Sequence, residues 1–269
     1  VIPFLHLGPV TISTYGLMVA VGLYAGFFVL HADLQRRHLP GDAATIIFGT
    51  GFAGIVGSKL YHVLEDPVDL WHDPLHRIFS NTGFAWFGGF LAGLLALILL
   101  GRHYGLSWLT TLDVSSPAAA VGYAFGRIGC LLSGDGDYGI PTSLPWGMSF
   151  PHGLVPTTQR VHPTPIYEFI AWMLIAWYLW RQGYLKASSR ASRESSSGKL
   201  RDLAFRAPGW VLGEYLLLTG LARFLVEFIR INPRVFLGLT NAQWASLASM
   251  AAGALLLARL SRRQTSSSR

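Results

Sequence analysis

Arg127 interrupts an otherwise apolar stretch, Pro117-Ala-Ala-Ala-Val-Gly-Tyr-Ala-Phe-Gly-Arg127-Ile-Gly-Cys-Leu-Leu-Ser133. A guanidinium buried in a bilayer costs on the order of 3 kcal/mol on insertion scales, so such a charge marks a functional site by default. A second group lies in Arg223-Phe-Leu-Val-Glu227-Phe-Ile-Arg230. These charges stand at i, i+4 and i+7 and share one face of a helix, with Arg223 and Glu227 spaced for an ion pair. Glu168 opens a further apolar segment directly after His162-Pro-Thr-Pro-Ile-Tyr167. Each charge taken singly is as well explained by an internal ion pair as by a ligand. Their convergence on one side of the membrane favours an anion: guanidinium forks bind phosphate bidentately. Unpaired arginines there suit the phosphate of a phospholipid headgroup, with Arg127 and Arg223 as its walls and Arg230 nearby.

The elements that must position these residues are read from hydropathy. The chain is 51% hydrophobic and only 13% charged, and its mean hydropathy is +0.40. A soluble domain carries about 25% charged residues, so composition points to an integral membrane protein. A bilayer core takes about 20 apolar residues per helix, and seven segments qualify, at roughly 14–34, 43–64, 83–101, 112–133, 165–182, 208–229 and 241–260. The expected fold is therefore an all-α integral membrane protein, one transmembrane domain over residues 1–269 with seven transmembrane helices. Positive residues accumulate on cytoplasmic loops. Placing the N-terminus outside puts Arg36, Arg37, Arg102, Arg181, Lys186, Arg190, Arg193, Lys199, Arg201, Arg206, Arg259, Arg262, Arg263 and Arg269 inside. The acidic loop from Glu65 to Thr82 then lies outside, and the orientation is N-out, C-in. The Ser-rich segment 183–207 reads as a flexible cytoplasmic linker. The loop 134–164, rich in Gly, Pro and aromatics, reads as an external cap. The first apolar run lacks a basic leader, so no cleaved signal peptide is expected.

Several features carry a structural and a functional reading side by side. Tyr15 opens the first span and is an aromatic-belt anchor or a lipid contact. Gly88 and Gly89 are helix-packing positions or a place where lipid approaches the backbone. Cys130 is the single cysteine, which excludes an intramolecular disulfide, and it reads as a small buried residue. The histidines show no metal-binding spacing, and no nucleotide fingerprint or phosphate-binding glycine loop is present. No metal and no cofactor are expected. The basic pI of about 9.8 reflects topogenic charge rather than nucleic-acid binding.

Four motifs together resemble one family. Leu7-Gly-Pro-Val-Thr-Ile-Ser-Thr-Tyr15-Gly, Gly126-Arg127-Ile-Gly129, His162-Pro-Thr-Pro-Ile-Tyr167-Glu168 and Arg223-Phe-Leu-Val-Glu227-Phe-Ile-Arg230 are similar, in order, to those of the prolipoprotein diacylglyceryl transferases. The family signature continues Gly-Asn-Phe-X-Asn-Gly-Glu, where this chain has Gly129-Cys130-Leu-Leu-Ser133-Gly134-Asp135. Phe87 stands in place of the family's His before Gly88-Gly89. The chain is thus identified as a divergent member. The resemblance implies a multi-pass protein of the bacterial inner membrane with its active site toward the external face. It implies transfer of diacylglyceryl from phosphatidylglycerol to the lipobox cysteine thiol of a prolipoprotein signal peptide. On this reading Arg127, Arg223, Arg230, Tyr15, Gly88 and Gly89 contact the phospholipid. Arg223, Glu227, His162 and Asp135 carry the catalysis. With Phe87 at the usual histidine, either the base is one of His162, Asp135 and Glu227, or the cationic site itself lowers the thiol pKa. Two alternatives stay open: a phospholipid-using transferase with another acceptor, and a non-enzymatic lipid-binding or transport protein.

Overall fold

An apolar run satisfies its backbone groups internally by coiling into a helix. The computed structural model describes residues 1–65, 85–191 and 208–266. Among these residues there are seven α-helices: α1 (Thr14–Arg36), α2 (Ala43–Glu65), α3 (Trp86–His103), α4 (Trp108–Ser133), α5 (Thr164–Ala191), α6 (Trp210–Val226) and α7 (Asn241–Ser266). The protein is mostly helical. Four of its helices, α1, α2, α3 and the Asn241–Arg263 part of α7, are long and apolar enough to cross a membrane.

The all-helical expectation needs one amendment. Among the described residues, three short antiparallel hairpins accompany the helices: β1 (Phe4–Leu7) with β2 (Val10–Ser13) ahead of α1, β3 (Met148–Phe150) with β4 (Thr157–Val161) between α4 and α5, and β5 (Arg234–Phe236) with β6 (Leu239–Thr240) between α6 and α7. Strands this short are invisible to a 20-residue hydropathy window, yet each hairpin pairs its inner backbone groups locally. Helix α5 also runs on to Ala191, past the position where a linker was expected to begin. Residues 192–207 of that linker lie outside the described residues, as do residues 66–84, which include most of the acidic loop.

The described residues form two compact units, Leu34–Leu112 and the combination of Val1–Asp33 with Asp113–Arg269. In the smaller unit α2 packs along α3 through glycine. A Cβ on Gly88 would stand 2.3 Å from the Gly57 carbonyl oxygen and 2.3 Å from the Tyr61 Cβ, so glycine sets the helix spacing. Asp42 caps α2, its Oδ2 accepting from the Thr45 amide at 2.8 Å, as the orphan amides of a helix start require.

In the larger unit α4 and α5 meet through a core of Ala120, Val121, Ala124, Trp172 and Ala176. The alanines let the helices approach, and the Tyr123 ring stacks on Trp172 with centroids 3.8 Å apart. Arg127 lies one turn after Tyr123, and Glu168 one turn before Trp172. Antiparallel packing therefore brings this arginine and this carboxylate level with each other. Helix α6 is anchored by Asp113 of α4, whose carboxylate accepts from the amides of Gly209 and Leu212, both at 2.7 Å. A carboxylate at a helix N-terminus satisfies free amides and complements the macrodipole. Helix α7 begins in a reciprocal cap: the Thr240 amide donates to Gln243 Oε1 and the Gln243 amide to Thr240 Oγ1.

Candidate functional site

None of the three arginines is unpaired, contrary to the sequence expectation. Glu168 is buried and touches all of them. Its Oε2 lies 3.4 Å from Arg127 Nη1 and 3.2 Å from Arg230 Nη1, and its Oε1 lies 2.9 Å from Arg223 Nη1. The Tyr123 hydroxyl also donates to Oε1, at 2.8 Å. The Arg223–Glu227 pair expected from i,i+4 spacing is formed, at 3.0 Å. Arg230 does not continue that helical face. Helix α6 ends at Val226, a 3-10 turn spans Glu227–Ile229, and Arg230 is extended. The tighter turn swings Arg230 back over the cluster, with its Nε 3.7 Å from Glu227 Oε2. Asn232 holds the other Glu227 oxygen at 2.5 Å.

The third carboxylate is Asp137, on the loop after α4. One of its oxygens pairs with Arg127 and the other with Arg230. Three guanidinium groups thus meet three carboxylates. The carboxylates are unequal: Glu227 and Glu168 side chains are 0% and 2% exposed, Asp137 is 27% exposed. Burial opposes ionisation of Asp137, but Arg127 and Arg230 outweigh it and bring its carboxyl down to about 2. Two buried donors, the Nε–H groups of Arg127 and Arg230, have no hydrogen-bond acceptor among the described residues.

Backbone bonds tie the three sequence motifs together. The Gly139 amide donates to the His162 carbonyl at 2.8 Å, the Ile140 amide to Ile229 at 2.8 Å, and the His162 amide back to Ile140 at 3.1 Å. Gly139 is required at this crossing: a Cβ there would lie 2.4 Å from the Ile229 oxygen. Thr164 Oγ1 donates to the Asp137 carbonyl. Every arginine is therefore framed by segments far apart in the chain.

The remaining candidates flank this cluster in different ways. Asp135 receives the Cys130 thiol and the Asp137 amide, and burial pushes its carboxyl above the ordinary carboxylate range. The ligand atoms of Cys130, Asp135 and Asp137 lie within 4.8 Å of one another. Asp137 is engaged by two arginines and the thiol by Asp135, so these contacts account for the grouping. His162 Nδ1 faces the Tyr167 hydroxyl at 3.2 Å, and that hydroxyl accepts from Trp146 Nε1 at 2.7 Å. Tyr15 lies against α4, where a Cβ on Gly129 would be 3.1 Å from its ring. Gly88 and Gly89 belong to the smaller unit, where they face Gly57, Tyr61, Gly54 and Ser58 of α2. Between α5 and α6 a cavity of about 450 Å³ opens, with Glu168 at one end and walls including Trp172, Leu218, Ala222 and Leu225. It is almost wholly apolar beyond that carboxylate.

The sequence profile of the prolipoprotein diacylglyceryl transferases matches residues 3–259, and this chain belongs to that family. Three relatives are named phosphatidylglycerol–prolipoprotein diacylglyceryl transferase. The protein of Nitrosomonas europaea is 32% identical over 267 residues, covering 94% of this chain and 87% of its own. That of Clostridium tetani is 30% identical over 89% of both chains. That of Leptospira interrogans is 30% identical over 83% of this chain and 73% of its own.

Proposed function

We propose that this protein transfers the diacylglyceryl group of phosphatidylglycerol to the lipobox cysteine of a prolipoprotein, the first step of lipoprotein maturation. Membership of the family supports this, and one observation carries it to named residues. Arg127, Arg223 and Arg230 converge on one point beside an apolar cavity, as a phosphate with attached acyl chains requires.

In this reading the protein crosses the bacterial inner membrane seven times, N-out and C-in, with the site toward the external face. The large apolar residues left exposed on the helices, among them Phe52, Leu91, Leu95, Leu174 and Leu255, suit a lipid surround. The phosphate rests on the arginine cluster, and an acyl chain lies in the cavity between α5 and α6. The cysteine thiolate attacks the glyceryl carbon that carries the phosphate. A C–S bond forms and the C–O bond breaks, with its electron pair leaving on glycerol phosphate. The leaving group passes from monoanion to dianion. Guanidinium groups already in place stabilise that new charge without reorganisation. Glu168 and Glu227 hold the arginines in position. The thiol proton goes to Asp135, which stands where the family signature has Glu and whose raised carboxyl makes it a better base. His162 is held by the Tyr167 hydroxyl at 3.2 Å.

The test is transfer of labelled diacylglyceryl from phosphatidylglycerol to a lipobox peptide by the purified protein, joined to rescue of a transferase-depleted strain. Wild type forms the thioether and rescues. Arg127→Ala, losing one charged partner of the leaving phosphate, falls at least 100-fold, roughly the loss seen on removing one oxyanion donor. Absence of both transfer and rescue by wild type overturns the reading. Transfer to an acceptor other than the peptide moves it to a different transferase.

A further inference from the structure

Asp137 is the most exposed carboxylate of the cluster. Glu168 and Glu227 project from helical turns and are sealed. Asp137 sits on the loop after α4, just beyond Gly136, and keeps 27% exposure. Gly134 and Gly136 on this loop both have positive φ, +59° and +91°. Its two oxygens span two guanidinium groups, one on Arg127 and one on Arg230. A phosphodiester presents two non-bridging oxygens to paired guanidinium groups in the same way.

Charge bookkeeping points in the same direction. The resting cluster holds three arginines against Asp137, Glu168 and Glu227 and is neutral. A phosphodiester monoanion added to it would leave one negative charge in excess in a low dielectric. The same monoanion exchanged for Asp137 leaves the cluster neutral. The Nε–H groups of Arg127 and Arg230, which donate no hydrogen bond among the described residues, belong to the two arginines that Asp137 occupies, so a phosphate with more acceptor oxygens has further donors to use.

Resting on the reading above, we propose that Asp137 is an internal substitute for the lipid phosphate. Its carboxylate bridges Arg127 and Arg230 in the lipid-free protein and gives way to the phosphodiester monoanion when phospholipid binds. Without it, three guanidinium groups would share only Glu168 and Glu227, and the partly buried cluster would carry one uncompensated positive charge between turnovers, a costly state. With it, the anion site is kept assembled, and lipid binding is an exchange of one anion for another. The affinity for phosphate is lowered in proportion to the strength of the internal pair.

The experiment measures binding of dioctanoyl phosphatidylglycerol, and in a second arm inorganic phosphate, to wild type, Asp137→Asn and Asp137→Glu in detergent. Removing the competing charge with Asp137→Asn tightens the lipid Kd about tenfold and enlarges the Tm gain on adding lipid, although the lipid-free Tm falls. Asp137→Glu keeps the charge and shows no such tightening. Equal or weaker lipid binding by Asp137→Asn overturns the proposal. So does tightening confined to inorganic phosphate, which would make the site one for free anion. Should Asp137→Asn not fold, wild type labelled with 13C-aspartate decides by difference infrared spectroscopy. Lipid shifts an aspartate carboxylate band, and an unchanged band overturns the exchange. The transfer assay separates the two readings. Tighter lipid binding by Asp137→Asn with no thioether formed by wild type sinks the transferase and keeps the exchange. Normal transfer without tightening does the reverse.

Discussion

Arg127 costs least where its charge is shared, and the structure supplies two partners for it, Asp137 and Glu168. Glu168 is the centre of the arrangement because three guanidinium groups and the Tyr123 hydroxyl use its two oxygens. Replacing such a carboxylate strands several charges at once, which is far more damaging than losing a surface pair. Asp137 makes the acid behaviour testable. Its carboxyl is held below the ordinary 3.8, down to about 2, so its ionised form is favoured by folding. That contribution is complete above pH 3.8 and is lost as the pH falls through about 2. The Tm difference between wild type and Asp137→Asn in lipid-free detergent should therefore be constant at neutral pH and shrink between about pH 4 and pH 2. A difference that persists unchanged below pH 2 would mean that the pair contributes nothing ionic. Of the residues themselves, Arg127, Arg223, Glu227, Arg230 and Glu168 were legible because a charge in an apolar run is conspicuous. Asp137 was not, because it lies in a polar loop where an aspartate is ordinary.

At the scale of elements, approach distances are set by small residues. The alanines of α4 bring Arg127 level with Glu168, and Gly88 brings α3 against α2. Gly88→Ala should destabilise the protein by about 1–3 kcal/mol, the range for overpacking a tight contact, read as a lower Tm in detergent. The close packing of that helix pair through glycine needs no lipid, so a variant of unchanged Tm but weakened phosphatidylglycerol binding would favour the alternative role for Gly88. Helix α6 shows the limit of periodicity. Spacing of i, i+4 and i+7 placed Arg230 on a continuous face, yet the helix closes in a 3-10 turn and Arg230 leaves it extended. The charges still converge, for a reason the helical wheel does not contain. The hairpins were likewise missed, since strands of two to five residues leave no trace in a window sized for a bilayer.

Across the whole molecule the sequence carries a net charge of +7, and the positive-inside rule turns its basic residues into a testable orientation. The proposed N-out, C-in arrangement is checked by membrane-impermeant thiol labelling of intact and opened cells. Cys130 is buried, so reporter cysteines can be placed in the natural chain. Ser143→Cys, exposed on the loop after α4, should label from outside. Arg262→Cys, exposed near the end of α7, should label only after the cells are opened. The opposite pattern would invert the topology and put the arginine cluster on the cytoplasmic side.

By itself the sequence determined the helical character and the family. These follow from composition, local periodicity and short motifs, which need no distant contact. Only the tertiary structure decided which charges meet. Arg127 reaches Glu168 across 41 positions and Arg230 reaches Asp137 across 93. Ion pairs at such separations depend on how closely helices pack and where each one ends. Side-chain volume and backbone hydrogen bonding settle those together, and neither can be read from one segment alone. The arginines that looked like an open anion site are for this reason already occupied, and the carboxylate on the most exposed side of the cluster is the one placed to give way.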